Sequence, residues 1–139
     1  MAYWLFKSEP DVFGWDDLVA KGDKGEEWDG VRNYQARNMM RAMKTGDLGL
    51  FYHSNIGKEA VGICEVIAEA HPDSTSGDGK WECVDVRALR KLPRPVPLDQ
   101  AKAEPRLSDM ALVRNTRLSV QPVTPQEWAV ILELAGDLG

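Results

Sequence analysis

Apolar positions recur along this chain with two periods, and the switches between them mark out its elements. Tyr3-Trp4-Leu5-Phe6 is a continuous apolar and aromatic run, the pattern of a strand buried on both faces. It stops at Lys7-Ser8-Glu9-Pro10, because Pro10 lacks a backbone donor and biases Glu9 toward an extended conformation. Trp15, Leu18 and Val19 fall at helical spacing ahead of Gly22 and predict a short helix, and residues 23–27 read as polar loop. Ala36, Met39, Met40 and Met43 form the apolar stripe of a second helix, with Asn33 as its N-cap and Gly46 as its stop. Arg37, Arg41 and Lys44 share a neighbouring face of that helix.

Residues 48–53 alternate as a strand, Leu48, Leu50 and Tyr52 to one side, Phe51 and His53 to the other. A second strand spans 59–70, where small residues such as Gly62 leave room for a helix or another layer to approach closely. A Ser/Asp/Gly-rich loop follows, then a strand over 81–89. Leu92-Pro93-Arg94-Pro95-Val96-Pro97 predicts a stiff extended connector outside any regular element. Short helical pieces are expected around 98–103 and 108–113, and an extended segment over 117–123. Thr124-Pro125-Gln126-Glu127 is a complete helix start, with Thr as N-cap, Pro at the first position and Glu closing a capping box. Trp128, Ile131, Leu132 and Ala135 then make one apolar stripe that Gly136 ends.

Strands separated by irregular and helical pieces, without regular βαβ units, indicate one α+β domain over 1–139. The strands are expected to form a small, strongly curved sheet or barrel. At 139 residues, 43% hydrophobic and 28% charged, the chain has the composition of an ordinary globular domain. Its formal net charge of -5 argues against a general nucleic-acid coat but leaves room for a local basic site. Cys64 and Cys83 sit in strand-like segments, so reduced, packed thiols are expected, with no disulfide framework and no metal cluster. No leader segment and no membrane-spanning run is read, so the expected setting is cytoplasmic, or nuclear in a eukaryote.

No serine-hydrolase elbow, zincin helix, phosphate-binding loop or dinucleotide fingerprint is present. With only His53 and His71 as candidate bases, no catalytic residues and no cofactor are assigned, and a structural role for His53 outweighs a catalytic one. A recognition pocket fits better. Aromatic and amide-bearing residues recur at strand ends: Trp28 and Asn33, Tyr52 to Asn55, and the stretch from Arg117 to Gln121. A flat ligand needs an aromatic face, worth about 1–3 kcal/mol for a nucleobase, and fixed donors and acceptors for its edge. Trp81 and Trp128 fit strand and helix patterns and are expected in the core. Trp28 lies in a polar irregular stretch and is assigned to the pocket, so Trp28→Ala is expected to weaken binding while leaving the fold intact.

Four segments together carry a family resemblance: Tyr3-Trp4-Leu5-Phe6-Lys7-Ser8-Glu9-Pro10, Trp28-Asp29-Gly30-Val31-Arg32-Asn33-Tyr34-Gln35-Ala36, Phe51-Tyr52-His53-Ser54-Asn55 and Arg117-Leu118-Ser119-Val120-Gln121-Pro122-Val123. In content and order they closely resemble the EVE domain, a family of the PUA-like group. The resemblance implies a PUA-like curved mixed β-barrel with helices packed around it. It also implies a non-catalytic module that takes a modified base of DNA or RNA out of the stack and into a pocket. Carried over by position, Trp28, Tyr52 and Trp4 would be walls, with Lys7, Ser8, Glu9, Asn33, Ser54, Ser119 and Gln121 as polar contacts. Arg32, His53, Lys58 and Arg37 would stand at the rim or on the phosphates. The expected partner is nucleic acid carrying a modified base, bound by the module alone or alongside a separately encoded nuclease or modification enzyme, with the chain itself a monomer and no membrane involved. Two other readings stay open: an RNA-binding accessory protein indifferent to modification, and an enzyme acting on a nucleotide or small metabolite.

Overall fold

The computed structural model describes residues 1–115 and 117–137. Strand β1 (Tyr3–Ser8), whose Leu5 and Phe6 have no solvent exposure, lies one place in from an edge of the sheet. It runs parallel to β3 (Leu48–His53) and antiparallel to β6 (Val120–Val123). Antiparallel pairings then continue from β3 to β4 (Glu59–Pro72), to β5 (Glu82–Pro97) and to the two-residue β2 (Glu26–Glu27). The order β2-β5-β4-β3-β1-β6 is that of a six-stranded mixed sheet with β2 and β6 at its edges. The expected closure into a barrel is therefore corrected: the sheet is open, because its two end strands do not pair with each other.

Both faces of the sheet are covered, so each strand sorts its side chains by parity. One face gathers Trp4, Phe6, Phe51, Cys64 and Val84 under α1 (Pro10–Phe13), α2 (Trp15–Ala20) and α3 (Tyr34–Ala42), which add Phe13, Trp15, Leu18, Ala36 and Met40. The other gathers Leu5, Leu50, Tyr52 and Ile63 under α4 (Leu98–Ala103), α5 (Ala111–Arg114) and α6 (Pro125–Ala135), which add Ala101, Leu112, Trp128 and Ile131. Gly62 permits the contact that its neighbourhood of small residues predicts: a Cβ there would lie 2.5 Å from the Trp15 ring.

The capping chemistry is as the sequence predicts. Asn33 Oδ1 accepts from Ala36 N–H at 2.9 Å, and Thr124 and Glu127 exchange the two bonds of a capping box. The second helix nevertheless ends at Ala42 with Met43 already extended, so Gly46 belongs to the following turn, at φ +94°. The proline-rich connector is also corrected, since β5 continues through it to Pro97. Gly62 pairs with Lys91 and Ala60 with Val96, so residues 92–95 bulge opposite Val61 alone. Pro93 and Pro95 fall inside that bulge, where no ladder hydrogen bond is asked of them. Among the described residues no helix is long and apolar enough to cross a membrane.

Candidate functional site

The end of β1, helix α1, the chain leaving β2 and the residue before β6 meet around a cleft of about 510 Å³. Lys7, Ser8, Glu9, Val12 and Phe13 line one side, Glu26 to Arg32 the other, and Ser119 closes it. Main-chain bonds hold these pieces in register: Lys7 N–H donates to Ser119 O and Trp28 N–H to Val84 O, at 2.9 and 2.8 Å. Pro10 starts α1 immediately after the strand, and Ser8 Oγ donates to Phe13 O at 2.6 Å, folding that turn back over β1.

The opposite lip is organised by Asp73, a carboxylate only 2% exposed. It accepts from Gly30 N–H at 2.9 Å, from Arg32 Nη1 at 3.2 Å and from the Thr75 amide and hydroxyl. Burial pushes its pKa up, but hydrogen bonds from Thr75, Gly30 and Arg32 outweigh that and hold it below the ordinary value. Gly30 bends the chain with φ +77°, a region that favours glycine. Asp29 is shifted the other way, raised by burial and by the neighbouring carboxylates of Asp73, Glu27 and Glu26.

Trp28 forms the floor. It is 7% exposed and packs edge-on against Phe6, Phe51 and Phe13, at centroid distances of 5.2, 5.5 and 6.4 Å. The same side chain thus belongs to the core and to the cleft, which corrects the expectation that Trp28→Ala would leave the fold intact.

Of the residues assigned to the pocket or its rim, the structure brings Lys7, Ser8, Glu9, Trp28, Ser119 and Arg32 to this cleft. The others are placed elsewhere. Trp4 is buried with its indole N–H on Asp47 Oδ2 at 3.0 Å. Tyr52 packs in the core on the opposite face of the sheet, where burial raises its pKa to about 12. Lys7 lies between the two regions: it lines the cleft, its ammonium sits 5.9 Å from the Tyr52 ring centroid, and burial lowers its pKa. Gln121 is fully buried, its Nε2 clamping Asn115 O and Leu118 O at 2.9 Å each. The Asn33 oxygen is spent on its helix cap. Ser54 meets Ser8 through its backbone amide at 2.9 Å. His53 Nε2 accepts from Trp15 N–H at 3.0 Å, so the ring is neutral there, in keeping with a pKa lowered by burial. Lys58 belongs to the β3–β4 turn at φ +48°, and Arg37 stacks on Tyr34.

The missed cleft residues, Val12, Phe13, Glu26, Glu27 and Asp29 to Val31, are chain neighbours of the ones assigned. The missed organiser, Asp73, opens an Asp-Ser-Thr turn whose signal is local: its oxygen accepts from Thr75 N–H at 2.7 Å.

Behind the acidic lip, one ligand atom each from Glu27, His71 and Cys83 lies within 4.8 Å of the others, a cluster the spacing of these residues does not announce. Each of its groups already has a protein partner. Cys83 Sγ contacts Glu27 Oε1 at 3.4 Å, and burial followed by the Glu27 carboxylate pushes the thiol pKa up. Glu27 also accepts from the Ser74 amide and hydroxyl. His71 Nδ1 meets Pro72 O at 3.0 Å and Nε2 meets Asp85 Oδ1 at 2.7 Å. Both partners only accept, so this arrangement calls for the imidazolium, and the hydrogen bond to Asp85 raises the His71 pKa.

A histidine whose folded pKa stands above its unfolded value of about 6.5 adds stability that is complete below that value and lost as pH rises through the folded pKa. Unfolding midpoints measured against pH are therefore expected to fall on the alkaline side of about 6.5, and His71→Gln to flatten that slope. His53, lowered rather than raised, contributes a slope of opposite sign on the acid side, so the two windows separate.

The sequence model of the EVE domain matches residues 2–134. Thymocyte nuclear protein 1 of Mus musculus is 39% identical over 164 residues, covering 95% of this chain and 73% of its own length. Among solved structures, protein Atu2648 from Agrobacterium tumefaciens has a TM-score of 0.98 and 56% identity, over 100% of this chain and 97% of that one. Human THYN1 in complex with 5-methylcytosine-containing DNA has a TM-score of 0.88 and 36% identity, over 97% and 98% of the two chains. The YTH domain of Zygosaccharomyces rouxii MRB1 is similar in fold alone, with a TM-score of 0.58 and 21% identity over 96% and 86%.

Proposed function

The chain belongs to the EVE domain family, and from that premise we propose that its cleft takes up a modified nucleobase from a nucleic-acid strand, without catalysing a reaction. The observation that carries this reading is the combination of an aromatic floor with a polar, largely acidic rim. At about 510 Å³ the cleft falls within the roughly 300–1,000 Å³ of small-ligand sites. Trp28 and Phe13 offer apolar ring surface for a heterocycle. Glu9, Glu26, Glu27 and Asp29 can accept from an exocyclic amino group, as a carboxylate does from cytosine N4, and Ser8 and Ser119 can donate or accept. Carboxylates repel phosphate, so the base enters this slot and its backbone stays outside.

Such entry requires a base free of the stack, either single-stranded or extruded at a cost of a few kcal/mol. The relative whose structure holds 5-methylcytosine-containing DNA supports modified nucleic acid as the ligand class. The likeness to a YTH domain supports grouping the open sheet with PUA-like folds. A binding role rather than an enzymatic one is favoured by His53, whose acceptor nitrogen is occupied by a backbone amide.

The test is a panel of matched single-stranded dodecamers, DNA and RNA, with or without one 5-methylcytosine or N6-methyladenine. Burial of one methyl group, about 0.8 kcal/mol, corresponds to roughly a fourfold preference. A preference of that size or more for at least one modified strand, abolished by filling the cleft with Ser119→Phe, is expected. Equal affinity across the panel, unmoved by Ser119→Phe, overturns the reading.

A further inference from the structure

Next to the cleft the chain carries a feature that its acidic balance and its core packing do not explain. Tyr34, in the first turn of α3, is 51% exposed, and its ring lies 4.9 Å from that of Trp81 at an interplanar angle of 30°. Trp81 fits a core strand position by pattern, yet it precedes β5 by one residue and belongs to neither core cluster. Three cations surround this pair. The Arg37 guanidinium carbon is 4.8 Å from the Tyr34 centroid and 5.6 Å from that of Trp81. Lys80 Nζ is 5.2 and 5.8 Å from the same two centroids, and Arg32 is 5.6 Å from Trp81.

We propose that Tyr34 and Trp81, ringed by Arg32, Arg37 and Lys80, form a second contact surface that holds the nucleic-acid strand flanking the base in the cleft. This rests on the cleft being a base pocket, and three observations select the occupant. The first is charge: among the described residues Arg32 is ion-paired to the Asp73 carboxylate, and neither Arg37 nor Lys80 has an ion pair. The surface is thus locally basic on a chain of net charge -5, and it complements phosphate. The second is an unfilled donor. Among the described residues the Arg37 guanidinium makes one side-chain hydrogen bond, from Nη1 to Lys80 O at 3.4 Å, which leaves Nη2 without a protein acceptor. A guanidinium N–H without a protein acceptor favours a charge-assisted bond, and a phosphate oxygen can supply one. The third is continuity, because Arg32 both lines the cleft and lies against Trp81, so the platform begins where the cleft rim ends. An acidic slot for the base beside a basic aromatic step for the strand divides the work chemically. The half-exposed Tyr34 ring offers a face for a neighbouring base, as aromatics do in single-strand binding sites.

The full chain, Tyr34→Ala and Lys80→Gln are to be titrated with a 5-methylcytosine DNA dodecamer, its unmodified counterpart and the same pair as RNA. Tyr34→Ala is expected to weaken modified and unmodified strands alike by about tenfold, the scale of one base–aromatic stack, leaving their ratio unchanged. Lys80→Gln is expected to lower the slope of log affinity against log salt by about 0.7, the loss of one phosphate contact to a single strand. Parent-like affinities and salt slopes in both variants overturn the platform, even where the parent prefers the modified strand. A parent with no such preference, but whose affinity drops in both variants, overturns the base pocket and keeps the platform as a strand-binding surface. A parent that binds no dodecamer overturns both.

Discussion

Trp28→Ala is expected to lower the free energy of unfolding by about 3–5 kcal/mol, the cost of truncating a large buried aromatic side chain. Three rings lose their edge-on partner at once, since Phe6, Phe13 and Phe51 all pack against this indole. Against the roughly 5–15 kcal/mol that holds a domain folded, such a loss is a large share. A shift in urea midpoint at constant m reports it directly. A midpoint within experimental error of the parent's would show that the indole is a dispensable lining rather than a floor. Trp28→Phe keeps an aromatic ring in place and is expected to cost much less. It is the variant in which ligand affinity can be compared at nearly equal stability.

Asp47→Ala is the second large effect, and it lies far from the cleft. This carboxylate is 4% exposed and accepts from the Trp4 indole N–H at 3.0 Å, the Lys44 amide at 3.0 Å and the Ala2 amide at 3.1 Å. Burial works against its ionisation, but the bonds from Trp4, Lys44 and Ala2 hold its pKa below the ordinary 3.8. Its stabilisation is therefore present above that value and lost as pH falls through the folded pKa. Ala2 and Lys44 are exposed and can turn to water, whereas the Trp4 indole is buried and cannot. Leaving that donor unpaired accounts for most of an expected loss of about 3 kcal/mol. Chemical denaturation of Asp47→Ala at neutral pH checks it, and a loss below about 1 kcal/mol would mean that the indole finds another acceptor.

Much of this architecture was readable from residue order because it rests on local chemistry. Asn33 and Thr124 cap their helices by side-chain bonds spanning three residues, and Leu98–Ala103 and Leu48–His53 form their elements where the pattern puts them. Pro93 and Pro95 do not end β5 because a bulge lets one strand keep its partner while skipping several rungs, a property of the pairing and not of the segment. The candidate site was half legible for a related reason. Aromatic and polar groups at strand ends were recognised, but a sheet covered on both faces sends neighbouring residues to opposite sides. Tyr52 shares parity with Leu50 and goes with the second core, while Phe51 goes with Trp28. The alternation over 48–53 carries that parity, and it sets Tyr52 apart from Phe51 and the cleft. Trp4 and Gln121 could not have been sorted this way, because each is fixed by a distant or looping partner, Asp47 for one and the carbonyls of Asn115 and Leu118 for the other.

The most direct test of the base-binding cleft is a side-chain and amide NMR titration of the full chain with a 5-methylcytosine DNA dodecamer. The account predicts that the Trp28 indole, the Gly30 and Ser119 amides and the Phe13 ring shift together and saturate together, while Tyr52 and Trp128 on the far face stay where they are. Shifts centred on Tyr52 or Trp128, with Trp28 and Ser119 unmoved at saturation, would contradict it.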